Sequence, residues 1–246
     1  MLRSAELEIH SWTESKLAQH VKLYLAHKCC HLWYIHDAGH RDGYNYDSIG
    51  ATDGGFEQAT VGTGFPSSPW VIDHKRVQLG HGKALFQHAR SALQGWKHFQ
   101  LGWTGVSDDT PVKEGAGVCV VAKTLFMWSA NPLKIVYVKE HVLPSPLFPS
   151  SLRPGSRHPG APVGSRRQVF SFAHGCLEGH LLAGEERFAV EWDTQDDSVW
   201  FDIYTFSRPA HPLALATYPL VRWYQKQFAQ DSSDAMLGLA AQANKC

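Results

Sequence analysis

The stretch VWFDIYTFSRPAHPLALATYPLVRWYQKQFA, residues 199–229, changes its hydrophobic period part-way along. Up to Phe206 it is an aromatic and β-branched run suited to a pleated, half-buried surface, preceded by the turn-forming TQDDS. Ser207 ends this strand, and Pro209 and Pro212 build a rigid corner with His211 at the expected N-cap of a helix. Pro212 falls just inside the first turn, where its missing N–H costs nothing. Beyond it Val221, Tyr224 and Phe228, then Ala235 and Leu239, share one stripe at helical spacing. A long C-terminal helix is predicted, kinked or restarted at Pro219.

Working outward from that corner, five more segments have strand composition: 100–107, 116–127, 132–142, 168–178 and 184–193. With 198–207 they make a succession of strands that implies antiparallel neighbours. GHGKALFQHARSALQGWKHF, residues 80–99, puts Leu85, Ala89, Ala92 and Trp96 on one helical face. An aromatic, strand-like stretch lies near 44–52. A sheet of this kind must cover an apolar face with the two helices, and a strongly curved one leaves a cavity that takes up apolar ligands. The expected class is α+β, a curved antiparallel sheet of about seven strands wrapped around the C-terminal helix.

The 246 residues are 43% hydrophobic and 12% aromatic, enough for a sizeable core. The 23 Lys and Arg balance the 23 Asp and Glu. No basic stripe is interleaved with aromatics, so no nucleic acid partner is expected. The 5 cysteines are odd in number and irregularly spaced. With no secretory leader recognised, an intracellular and by default cytoplasmic protein is expected. No run approaches the roughly eighteen apolar residues of a transmembrane segment. Residues 1–42 read as an extension in which Leu17, Val21 and Leu25 suggest one short helix. Residues 144–167, dense in Pro, Gly, Ser and Arg, read as a flexible loop between two strands within a single domain over 43–241. LGHGK, residues 79–83, lacks the spaced first glycine and the following Ser or Thr of a phosphate loop, and no cofactor is expected.

The segments GYNYDSIGAT (43–52), LGHGKALFQHARSALQGWKHF (79–99), CLEGHLLAGEERFAVEW (176–192) and the stretch quoted first closely resemble the uncharacterised protein family UPF0548. GEERF and FSRPAH are the most specific parts, and the resemblance runs from about 43 to 240. It implies kinship with the helix-grip superfamily of START-like lipid-transfer domains, birch-pollen-allergen-like proteins and aromatic cyclases. It implies a fold; it supplies no activity.

In 185–192 the strand alternation places Glu186, Phe188, Val190 and Trp192 on one face. Glu185, Arg187, Ala189 and Glu191 share the other, which is expected to face solvent. Glu186 is then a carboxylate on an apolar face, either a proton donor or ligand anchor raised by desolvation, or a partner of Arg208. His174, Cys176, Glu178 and His180 alternate along one strand face. Neighbours two apart there diverge by about 7 Å, so no metal site is expected. Arg208 and the helix N-terminus at His211 suit an anionic head group. The leading reading is a binding protein for a small hydrophobic or amphipathic ligand. Trp192, Tyr204 and Tyr224 would line its cavity, with His180, Glu186, Arg208 and His211 as polar contacts. An enzyme using His180 and Glu186 as an acid–base pair, and an interaction module whose cavity its own side chains fill, are the alternatives. The oligomeric state is not set by the sequence.

Overall fold

The computed structural model describes residues 43–56, 70–125, 127–144 and 166–243. The helix expected near 17–25 lies outside the described residues, as does most of the loop expected over 144–167. Seven antiparallel strands form one sheet: β1 (Val71–His81), β2 (Thr104–Gly105), β3 (Gly117–Thr124), β4 (Met127–Pro144), β5 (Arg166–Cys176), β6 (Leu182–Asp193) and β7 (Ser198–Pro209). Their order is β1-β7-β6-β5-β4-β3-β2, a meander from β2 to β7 with β1 added beside β7. Among the described residues the sheet is accompanied by helices α1 (Lys83–Gln94), α2 (Pro212–Ala216) and α3 (Tyr218–Ala243). The whole is an α+β helix-grip, a curled sheet closed by its last helix.

Three sequence expectations are corrected in detail. The first strand is 71–81, not 44–52. Asp73, His74, Lys75 and Arg76 put charge on both faces of β1, so no alternation announces it, and pairing with β7 from Val71↔Ser207 to His81↔Ser198 creates the strand. Residues 44–52 make one bridge, Tyr44↔Leu177, and then turn. The helix expected over 80–99 stops at Gln94, because Gly95 caps it and Trp96 takes a left-handed conformation at φ 56. A short 3-10 turn, Lys97–Phe99, then carries His98 and Phe99 into the core. The strand expected over 100–107 contracts to Thr104–Gly105. The restart at Pro219 is found, since α2 ends at Ala216 and α3 begins at Tyr218.

Helix α1 lays Leu85, Phe86, Ala89, Ala92 and Leu93 against the concave side of the sheet, where Phe170, Phe172, Phe188, Val190 and Phe201 meet them. The second half of α3 seats there through Met236 and Ala240, with the small side chains of Ser232 and Ser233 also buried. Phe228 and Ala229, at the end of its first half, also pack against this core. Before them the first half is tied to β1 and β7 by side-chain bonds, Arg222 to Asp73 and Gln225 to Ser207.

The convex side is covered too, against expectation. Glu185, Arg187 and Glu191 are 2%, 4% and 5% exposed, so this is not a solvent face. Residues 43–56 lie over it, and Glu185 organises them: it accepts from Tyr46 Oη (2.7 Å), the Gly50 amide (2.7 Å), the Thr52 amide (3.0 Å) and the Thr52 hydroxyl. Gly175 makes this possible, because a Cβ there would lie 2.2 Å from Tyr46 Oη.

Candidate functional site

Between the first half of α3 and the concave face lies a cavity of about 830 Å³. Phe99, Leu133, Ile203, Val221 and Phe228 supply apolar walls. β5 and β6 bring polar groups to the same space, because the even-numbered residues of both strands point inward and Ile135, His174 and Glu186 are register partners across β4, β5 and β6. His174 Nε2 lies 3.2 Å from Glu186 Oε2. His174 is buried, its Nδ1 has no partner among the described residues, and the Glu186 side chain keeps 24% exposure.

His180 follows the turn after β5 and lines the cavity as well. Its Nδ1 lies 2.9 Å from the Leu182 amide and 3.1 Å from the Leu182 carbonyl oxygen, so the ring is anchored to that backbone through Nδ1. Desolvation pushes its pKa down to about 4; the hydrogen bond to the Leu182 carbonyl opposes this and the nearby His174 adds to it. The Cys176 thiol, also on the lining, is pushed well up by burial and by the Glu186 and Glu185 charges, so it stays protonated and is a poor nucleophile. The ensemble is a neutral imidazole, a carboxylate–imidazole pair and a protonated thiol in an apolar chamber. It can hold a hydroxyl or carbonyl head group, and the pair is within reach for proton transfer.

The mouth is tied by polar contacts on both sides of α3. Arg222 clamps Asp73 of β1 through two hydrogen bonds of 2.6 Å, and Gln225 donates to Ser207 Oγ at 2.9 Å. Opposite, Tyr224 Oη accepts from the Leu125 amide at 2.7 Å, and Trp103 Nε1 donates to Asp231 at 2.8 Å. Leu125, Leu213 and Leu220 lie at this mouth with 63%, 55% and 36% of their surface exposed.

The family model described as a domain of unknown function, DUF1990, matches residues 45–235. The chain belongs to this family. A UPF0548 protein of Arabidopsis thaliana is 37% identical over 173 residues, 68% of this chain and 72% of that one. A UPF0548 protein of Dictyostelium discoideum is 30% identical over 177 residues, 69% and 73% of the two chains. Among solved structures, the crystal structure of Ara h 8.0201 overlaps 70% of this chain and 99% of its own at TM-score 0.41 and 11% identity.

Of the residues singled out in the sequence of this DUF1990 protein, His180, Glu186 and Tyr224 line the cavity. Trp192 does not: at the far end of β6 it packs near Phe86 of α1 and donates to Asp197 at 2.8 Å. Tyr204 is an even-numbered residue of β7, whose inward set is odd, so it is buried on the convex side beside Phe56 and His74. Arg208 is also turned away and sits over the Trp70 ring at 4.5 Å. His211 caps α2 by accepting from the Leu213 amide at 3.1 Å. The partner of Glu186 is His174 rather than Arg208. The sequence marks His174 only as one of four alternating metal-ligating side chains; its place two residues from Phe172 puts it on the inward face, and the β5–β6 register sets it opposite Glu186. Phe99 and Leu133 reach the cavity from a 3-10 turn and from a neighbouring strand, and nothing local in the sequence marks them.

Proposed function

We propose that this DUF1990 protein binds a small hydrophobic or amphipathic molecule between the concave face of its sheet and the first half of α3. The observation that carries this reading is the cavity of about 830 Å³, apolar over most of its wall, with His174, Glu186 and His180 gathered at one side. Ligand chambers commonly occupy about 300–1,000 Å³ and combine apolar walls with a few convergent polar groups. The described side chains do not fill the space, which counts against a chamber plugged by the chain itself. The exposed leucines at the mouth give an apolar guest a path along which little of its surface must rehydrate.

The 3.2 Å contact between His174 and Glu186 favours a second reading, an enzyme in which this pair moves a proton on a bound carbonyl compound. One set of measurements addresses both. Native mass spectrometry of the purified protein should reveal a co-purifying apolar compound, and Val221→Trp, which fills the chamber from α3, should abolish its retention. An empty protein that also takes up no member of a broad lipophile panel overturns the binding reading. Glu186→Gln that retains uptake and eliminates turnover supports the enzyme; loss of uptake alone supports a carrier.

A further inference from the structure

The sheet has a second hollow, on its convex side, of about 340 Å³. One row of register partners crosses the sheet beneath it: Arg76 on β1, Asp202 on β7, Ala189 on β6, Ser171 on β5 and Lys139 on β4. The middle of the row, Ala189 and Ser171, has short side chains and its ends are charged. Arg187 and Glu191 flank the row on β6, Arg167 stands at one end, and residues 53–56 overhang it. Gly55 presses so close that a Cβ there would lie 3.3 Å from Arg187 Nη1.

The charges facing this space are Arg76, Lys139, Arg167 and Arg187 against Asp53, Glu191 and Asp202, with His74 and His141 beside them. Glu191 accepts from Arg76 at 2.6 Å and from Arg167 at 3.2 Å. Asp202 accepts from Arg187 at 3.0 Å and meets His74 Nε2 at 2.6 Å, while Lys139 pairs with Asp53. Burial alone would raise the Asp202 carboxyl; the His74 hydrogen bond and the Arg187, His74 and Arg76 charges outweigh it and hold the group ionised below the ordinary range.

Even so, the donors are not used up. Three guanidiniums and an ammonium bring about eighteen N–H bonds, whereas three carboxylates offer about twelve lone-pair positions. The excess has an address. Nε of Arg76 and Nε of Arg187 are buried with no partner among the described residues, and Arg187 Nη2 stays 3.8 Å from Glu191. A guanidinium that is 4% exposed and incompletely bonded is costly unless an acceptor arrives.

We propose that this hollow binds a small molecule through an oxyanion, a phosphate or carboxylate group whose oxygens accept from Arg76, Arg187 and Lys139. The volume exceeds that of the anionic group alone, which leaves room for a substituent beside His141 and Phe56. The site shares the sheet with the apolar chamber and does not depend on it.

The test is a titration of the full chain, in a buffer free of multivalent anions, with inorganic phosphate and separately with succinate, against potassium chloride at matched ionic strength. Saturable binding is expected for one or both, raising Tm by about 5 °C or more at a hundredfold excess over Kd. Phosphate alone identifies a phosphorylated ligand, and succinate alone a carboxylate. Arg76→Gln should weaken binding at least tenfold. Should that variant not fold, Lys139→Gln at the rim should weaken it several-fold. Val221→Trp should leave it unchanged, which separates this site from the lipophile chamber. No response beyond the chloride control for either anion, or affinity unaltered in both Arg76→Gln and Lys139→Gln, overturns the proposal.

Discussion

Glu185 and Glu186 are adjacent and opposite in consequence. Glu185 is buried and satisfies two backbone amides and two hydroxyls of residues 46–52. Glu186 is part-exposed, with His174 within hydrogen-bonding distance. Glu185→Ala therefore strands several buried donors and should lower unfolding free energy by roughly 3 kcal/mol or more, whereas Glu186→Gln should change it by less than about 1 kcal/mol. Urea denaturation of the two variants checks the contrast, and equal losses would show that the 43–56 segment is not held through Glu185. The alternation that separates these glutamates was legible in the sequence. Which face was covered was not, because the cover is supplied by residues more than a hundred positions away.

At the scale of elements, α3 has a seated half and a clamped half. Ser232, Ser233, Met236 and Ala240 are buried, while Leu220, Val221, Tyr224, Gln225 and Phe228 face the chamber and side-chain bonds from Arg222, Tyr224 and Gln225 hold this half at the mouth. The Asp73–Arg222 clamp is partly exposed, at 31% and 18%, so its loss should cost under about 1 kcal/mol of stability. It should nonetheless speed release of a bound fluorescent lipophile several-fold. Stopped-flow displacement with Asp73→Ala measures this, and unchanged rates would mean that the head of α3 is not where guests pass. The meander of β3 to β7 and both main helices could be read from period and punctuation. β1 could not, since Asp73 and Lys75 face the cavity and Arg76 the charged hollow, and only pairing with β7 makes them a strand. Trp192 and Tyr204 have different reasons: the sequence does not show where along a curved sheet the chamber ends, which misplaces Trp192, and it does not show which face of β7 is concave, which misplaces Tyr204.

Taken as a whole, the molecule should lose stability on acidification. His98 is wholly buried against Trp96, Phe99 and Phe188, and burial, then the nearby His174, pushes its pKa well below the usual value. The folded state thus favours the neutral rings of His98 and His180, while the unfolded chain takes up protons below about pH 6.5. Stability is full above that pH and falls as pH drops toward the folded values, by about 1.4 kcal/mol per pH unit for each such histidine. Asp202, held low in the fold, adds a further loss below about pH 4. Urea midpoints at pH 7 and pH 5 should differ clearly in this direction, and His98→Phe should shrink the difference. A pH-independent midpoint would contradict neutral burial of these rings.

The double cover of the sheet bears on how the chain finds its alignment. Slipping β6 by a single position would thrust Arg187 and Glu191 among Phe172, Phe201 and Ile203, and strand Phe188 and Val190 among guanidiniums. A sheet wet on one side can tolerate part of such an error; this one is penalised twice for each misplaced side chain. The charged layer behind the greasy one therefore acts as a proofreading template, rejecting near-miss pairings that hydrophobicity alone would leave competitive.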